Sequence, residues 1–441
     1  MRPLSVSKRA AILVSGCALV VCPCVAEAQP LDEAPQRSAT GETSANAQAN
    51  PSANAPDVPA PSPPARAGSR AEITLNGWVE AFWQYNFNEP YNGFTAYRGF
   101  DTRHNTFTIQ NIVLDTQWRY ERVSGRIALQ VGHQPDTYYA AEPTLSPGLG
   151  LPATGPNVWK FLREAYVSYL APFAGGTRFE AGLFLSPVGP EGLTVKDEYN
   201  WSRSNLAFGA PFYHAGARAT FRLSSVMNAT VGVFNGWNNV VDNNLDKSVC
   251  AQWTYTRPDR LTASVLYFGG VERSAGATGG RGWRHLFDAY AIWQAAPWLS
   301  LTGQTLAGFE TITDDTRRTD TYQGVQWWAA ASVAARVRTV SWLYLAARAN
   351  FFLESFEAVS NSSGILPDAI FFPTNRLLGL TATADFRPHE HISLRLEYRH
   401  DNAAQAIFFD RDNTARPGVP AAQRGLTPTQ NTLTVGVTAW F

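Results

Sequence analysis

"QNTLTVGVTAWF", residues 430–441, is the last stretch of the chain, and it reads in twos. Leu433, Val435, Val437, Ala439 and Phe441 fall on one face; Thr432, Thr434, Gly436, Thr438 and Trp440 fall on the other. Side chains of a β-strand point to opposite faces in turn, so this alternation predicts a strand with one apolar and one polar side. The strand runs to the final residue. Chain ends ordinarily fray, so an aromatic end with no tail needs a structural reason.

Working outward, the same period recurs in "HISLRLEY", "LTASVLY", "HAGARATFRL" and "RFEAGLFL". Strands are predicted near 72–87, 106–120, 123–133, 160–170, 177–186, 212–223, 226–236, 248–256, 260–270, 283–295, 298–310, 326–337, 340–353, 376–387, 391–400 and 431–441. The phase slips around Asn111, which predicts a β-bulge, and alternation is poor in "WWAAASVAA". The connections alternate short and long: "YERVS", "APFAGG", "LSSV", "TRPD", "AAPW", "RVRTV" and "RPHE" against eight much longer segments. That parity is the signature of an up-and-down antiparallel outer-membrane barrel; a Greek-key sandwich has no reason to keep it. About sixteen strands are expected, with the N- and C-termini on one side, the periplasm. A closed barrel has no free edge, so the last strand must pair with the first. Trp118, Tyr120, Tyr169, Phe221, Trp253, Tyr255, Trp293, Trp298, Phe386, Trp440 and Phe441 then suit interfacial aromatic girdles.

The N-terminus agrees with export. Arg2, Lys8 and Arg9 precede an apolar run, Ala10 to Val25, and "AEA" at 26–28 offers a cleavage site, so residues 1–28 read as a signal peptide. "LVSGC" before Cys17 keeps a lipoprotein reading open. Three of the four cysteines leave with the signal, and Cys250 alone remains, without a disulfide partner in the chain. The remainder carries 33 basic and 35 acidic residues, with no charge argument for nucleic acid. It has no 18-residue apolar run for a transmembrane helix, yet the chain holds 14 Trp, 16 Tyr and 25 Phe, a load that suits aromatic belts. Residues 29–70 are rich in Pro, Ala and Ser and read as a disordered periplasmic linker. The barrel is expected over 71–441.

The stretches "GWVEAFWQYNFNEP" (77–90), "RGFDTRHNTFTIQNIVLD" (98–115), "VGHQPDTYYAAEP" (131–143), "REAYVSYLAP" (163–172), "YNWSRSNLAFGAPFYHAGARAT" (199–220), "GVFNGWNNVVDNN" (232–244), "WRHLFDAYAIW" (283–293) and "LRLEYRHDN" (394–402) resemble the OmpL-like β-barrel porins of bacterial outer membranes. The resemblance spans nearly all of 77–441 and implies a solute-permeable barrel without known catalysis. The terminal Phe441 also resembles the end signal that such proteins present to their assembly machinery.

Strand parity turns Glu80, Asp115, Arg126, Glu164, Arg178, Glu180, Arg218, Arg222, Asp288, Arg336, Arg348, Asp385, Arg387, Arg395, Glu397 and Arg399 inward. Such rings set ion preference, or neutralise one another and hold the wall in register. Their near balance predicts weak anion preference, shifted towards cations when Arg395 and Arg399 are replaced. The long segment 187–211, with Glu191, Lys196, Asp197, Glu198 and Arg203, is a candidate constriction loop or an external cap. Asp242, Asn244 and Asp246 have calcium-loop spacing but lack its glycine and distal Glu, which favours a plain Asx-rich turn.

The seven histidines form no local catalytic motif, and "TDDT" with Asp314 and Asp315 reads as a charged loop tip. The expectation is therefore a non-enzymatic barrel passing small hydrophilic solutes by diffusion through a polar lumen. Outer-membrane lipid and the assembly machinery are its partners, and no cofactor is needed. A structural or adhesive barrel with a plugged lumen, and a barrel hydrolase, stay open as alternatives.

Overall fold

The computed structural model describes residues 71–441 except 145–153, 174–175, 275–279, 313–323, 362–363, 413 and 415–424. Residues 1–28 and 29–70, expected as signal peptide and linker, and Asp314 and Asp315 lie outside the described residues. Sixteen strands close into one antiparallel barrel. They are β1 Glu72–Asn86, β2 Phe107–Tyr120, β3 Val123–Val131, β4 Leu162–Ala171, β5 Thr177–Leu185, β6 Tyr213–Arg222, β7 Met227–Phe234, β8 Ser248–Arg257, β9 Leu261–Val271, β10 Trp283–Ala296, β11 Leu299–Ile312, β12 Gly324–Val340, β13 Leu343–Glu354, β14 Arg376–His389, β15 Ile392–Ala403 and β16 Thr429–Trp440. Each predicted strand has its counterpart here. Two short hairpins not expected from the sequence, Glu357–Asn361 with Gly364–Asp368 and Phe408–Phe409 with Leu426–Thr427, sit within the long connections after β13 and β15.

The closing strand answers the question its sequence poses. β16 pairs with β15 on one side and with β1 on the other, from Trp78↔Trp440 to Asn86↔Thr432. The Phe441 amide donates to the Gly77 carbonyl at 3.0 Å, so the ladder continues to the last residue. Closure leaves no unpaired strand edge, which a hydrocarbon environment would penalise. β1 begins six residues before that ladder, and Glu72 pairs with Arg119 of β2.

The outer face is apolar. Leu114, Leu129, Val233, Leu380, Leu396 and Val435 are 45–56 % exposed, and an apolar surface of this extent belongs in lipid. Aromatic belts bound it. Tyr120, Tyr169, Trp253, Trp293, Trp298 and Phe386 lie towards the short turns; Trp83, Phe107, Trp283, Phe309 and Trp327 lie towards the long loops. Trp440 does not join Phe441 in the belt. Successive strand residues face opposite ways, and Trp440 sits beneath the inward Arg387, 6.0 Å from its guanidinium.

The phase slip near Asn111 is a bulge: Glu80 pairs with Asn111 and Ala81 with Ile109, leaving Gln110 as the extra residue. Both Gln110 and Asn111 turn inward and are buried. A second slip opposite Ala128 and Leu129 turns both Arg163 and Glu164 inward. Two adjacent inward side chains at each site give the wall extra polar groups at that level.

Candidate pore constriction

The segment 186–211 between β5 and β6 enters the barrel. Its residues are buried or half-buried, and they bond to inward side chains around most of the wall. On β1, Glu80 accepts the Val195 amide at 2.7 Å, and Gln110 donates to the same carboxylate at 3.2 Å. On β4, Arg163 donates to Thr194 at 2.7 Å. On β10, Asp288 accepts the Gly189 amide at 3.1 Å and a Gln304 amide proton at 2.7 Å. On β11, Ser300 bonds the Tyr199 hydroxyl. On β13, Arg348 donates to Glu191 at 2.6 Å and to the Ser202 carbonyl at 2.7 Å. β13 lies eight strands from β5, half the circumference, so the segment crosses the lumen.

Its far side is held by β15. Glu397 accepts the amides of Trp201 at 2.5 Å and Ser202 at 2.9 Å. Arg395 donates to the Asn200 carbonyl at 3.1 Å. Arg399 donates to the Arg203 carbonyl and to Asn205 Oδ1, both at 2.5 Å. A strand with inward Arg, Glu, Arg at alternate positions thus matches a polypeptide with carbonyl and amide groups to satisfy. Charged groups removed from water need such partners.

These contacts correct the expectation that every inward charge lines an open lumen. Glu80, Asp288, Arg348, Arg395, Glu397 and Arg399 do face inward, but the segment covers them and all are buried. Arg203 is also buried; its guanidinium turns back onto the Gly192 carbonyl at 2.5 Å and the Trp201 carbonyl at 2.8 Å. Glu191, Lys196, Asp197 and Glu198 are half-exposed. Lys196 pairs with Asp197 at 2.8 Å, and Glu198 accepts the Gly192 amide at 2.5 Å.

Away from the segment, β3, β5 and β6 present Arg126, Arg178, Arg218 and Arg222, all half-exposed. Arg126 bridges Asp115 at 2.8 Å and Glu164 at 2.7 Å, and Arg218 holds Glu180 at 2.7 Å. Asp115 and Glu180 are buried beneath them. The arginines are therefore the accessible members of these cross-strand pairs. Between the segment and β10–β13 lies a narrow cavity of about 40 Å³, bounded by Pro190, Glu191, Asp197, Glu198 and Tyr199 on one side and by Ile292, Thr302, Gln304, Ser332 and Arg348 on the other.

The inner face is not polar along its whole length. In the long-loop half, Phe184, Phe234, Phe268, Leu286, Trp328 and Phe352 point inward and pack with Leu206, Trp237, Phe372 and Phe408 from the loops. Glu354 fixes this cap by accepting the Phe371 and Phe372 amides at 2.9 and 2.8 Å. Lys247 pairs with Asp242 and Arg281 with Asp246, while Asp242 and Asn244 accept the amides two residues on, at 2.9 and 2.7 Å. The stretch is an Asx-turn series, and among the described residues no group of three or more metal-ligating side chains occurs. His214 bonds Ser186 at 3.2 Å, but its other ring nitrogen meets the Gly236 carbonyl, and the ring lies between Phe234 and Phe268. Both residues are buried, and among the described residues the His214 ring nitrogens meet Ser186 and the Gly236 carbonyl rather than a carboxylate, so the pair locks β6 to the segment.

A family model described as "Putative beta-barrel porin-2, OmpL-like" matches residues 72–441. No curated protein sequence matches the chain. Among solved structures, the outer membrane channel DcaP of Acinetobacter baumannii is similar with a TM-score of 0.50 at 11% identity, over 84% of this chain and 97% of that one. An anion-selective porin from Comamonas acidovorans is similar with a TM-score of 0.50 at 12% identity, over 84% of this chain and 100% of that one. At such identities the likeness is one of fold.

Proposed function

The chain belongs to the OmpL-like β-barrel porin family and is an outer-membrane porin, and we propose that small hydrophilic solutes cross it between the inner segment and the β10–β13 wall. The observation that carries this route is the narrow polar cavity, about 40 Å³, between Glu191, Asp197, Glu198 and Tyr199 on one side and Gln304, Ser332 and Arg348 on the other. Both sides offer hydrogen-bonding groups to a solute that sheds part of its water. Segment 186–211 is the constriction in this reading, and the aromatic cap of the long-loop half keeps the passage narrow. Arg126, Arg178, Arg218 and Arg222 line the wider part.

In the same reading the short turns and both chain ends face the periplasm. Residues 1–28 direct export, 29–70 form a spacer, and Phe441 marks the chain for the assembly machinery. The barrel carries no catalysis.

Planar-bilayer recording tests the route. The purified barrel gives small, uniform conductance steps in KCl, and Ser332→Trp or Gln304→Trp lowers them severalfold. Native conductance with no response to either substitution overturns the route. No conductance at all favours a plugged barrel, for which the aromatic cap is the structural argument.

A further inference from the structure

Near the short-turn mouth, three guanidinium groups converge on one carboxylate oxygen. Asp385 Oδ2 lies 2.9 Å from Arg387, 3.5 Å from Arg336 and 3.5 Å from Arg395. The other oxygen accepts the Ser393 hydroxyl at 2.6 Å. A carboxylate oxygen has two lone pairs, so it cannot serve three forked donors. The surplus is visible: Nε and Nη2 of Arg336 and Nε and Nη2 of Arg395 are buried without a hydrogen-bond partner among the described residues. Arg336 and Arg395 are 8% and 1% exposed. Buried donors of this strength are seldom left unmade. Glu397 and Glu198 also act on Arg395, but Arg336 faces two like charges, Arg387 and Arg395, against the one carboxylate of Asp385, which favours a further anion beside it.

The surroundings hold the three arginines on several sides. Ala346 pairs with Arg336 on one side and with Thr383 on the other, so the inner face of β13 offers only a methyl group there. Tyr344 stands beside it, with Arg336 at 4.2 Å and Arg387 at 5.2 Å from its ring. The inner segment supplies the opposite side. Arg395 is held by the Asn200 carbonyl at 3.1 Å, Arg387 by the Lys196 carbonyl at 3.4 Å, and Arg336 lies 5.6 Å from the Tyr199 ring. The guanidinium planes are thus fixed before any ligand arrives.

We propose that Arg336, Arg387 and Arg395 form a binding site for a small doubly charged oxyanion of the phosphate or sulfate type, on the wall of the lumen. Such an anion has enough oxygens to take the donors that Asp385 cannot, and forked guanidinium donors match its geometry. The side chains of Arg387 and Arg336 are 13% and 9% exposed, and they give the approach from the lumen. The site rests on the porin reading only for access; binding does not require conduction.

Equilibrium dialysis of radiolabelled inorganic phosphate against the full barrel in detergent tests it, with heat-modifiability confirming that each variant is folded. One phosphate binds per chain, and sulfate competes far better than chloride. Arg336→Gln and Arg387→Gln each weaken binding roughly tenfold or more, as expected for loss of a charge-assisted donor. Asp385→Asn strengthens binding, because it removes the competing carboxylate; a purely structural cluster would show no gain. Arg257→Gln, a charge removed at an exposed turn, leaves binding unchanged. No saturable binding to the native barrel, or equal losses in Arg336→Gln and Arg257→Gln, overturns the site. Binding of dihexanoylphosphatidate without inorganic phosphate assigns the cluster to a lipid headgroup and also overturns it. KCl conductance, measured separately, reports on the porin reading whatever the dialysis shows.

Discussion

The indole of Trp201 occupies the place that a Cβ on Gly436 would take. The inner segment is therefore seated on the strand that closes the barrel, and Phe82 of β1 packs against the same ring at 6.0 Å between centroids. Closure and constriction share one contact.

Gly436→Ala should push Trp201 off β16. Overpacking of a well-filled site costs about 1–3 kcal/mol, enough to loosen the segment without unfolding the barrel. Single-channel conductance should rise and become noisier, with heat-modifiability unchanged. Gly303→Ala is the control, since open space surrounds that position. Equal conductance in both variants counts against the seating.

Glu397→Ala should orphan the Trp201 and Ser202 amides, at about 1–3 kcal/mol each. The segment should become sensitive to added protease while the barrel wall stays resistant. Glu397→Gln retains a carbonyl acceptor and should fall between. Unchanged protease resistance in Glu397→Ala means that other contacts hold the segment.

Selectivity should follow the exposed arginines rather than the covered ones. Replacing Arg178 and Arg222 by Ala should shift the reversal potential across a KCl gradient towards cations. Replacing Arg399, which holds the Arg203 carbonyl and Asn205, should instead destabilise the segment. Charges in the lumen act on a passing ion more strongly than loop charges screened beyond roughly 8 Å. A pure selectivity shift in Arg399→Ala with normal stability is the contrary result.

The wall was legible because alternation and turn length are local properties. The bulge at Gln110 showed as a break in phase, and the closing strand as an aromatic terminus. Segment 187–211 stood out as a candidate constriction loop or external cap, but which of the two it is, and where it docks on the wall, was not legible. Arg395, Glu397 and Arg399 at alternate positions satisfy water or a folded peptide equally well, so polarity alone does not separate a channel wall from a binding surface. Two signals were present. Phe184, Phe234, Phe268, Trp328 and Phe352 carry inward parity, at odds with a fully wetted lumen. Gly379 and Gly436 leave inward gaps that Asn205 and Trp201 approach closely. Neither signal names its partner; for Gly379 and Gly436 that partner is more than 100 residues away.

Deleting Phe441 should lower the amount of assembled barrel rather than its conductance. The residue closes the ladder to Gly77, and its ring lies where a Cβ on Gly77 would sit. Heat-modifiable barrel in the membrane is the measure; a normal level after deletion removes the assembly role.

Cysteine labelling on intact cells should mark Asp410→Cys and spare Glu390→Cys. Cys250 is buried and should not interfere. The reverse pattern inverts the orientation.

A thin-walled tube yields most readily by flattening into an oval. A chain fixed to β5 and β6 at one end and bonded through Arg348 to β13 half a circumference away acts as a strut against that mode. Lateral pressure from the bilayer then meets a braced cross-section, so membrane tension should change the bore little while the strut is intact. Cutting the chain within 186–211 would leave every strand paired and yet make the cylinder mechanically soft.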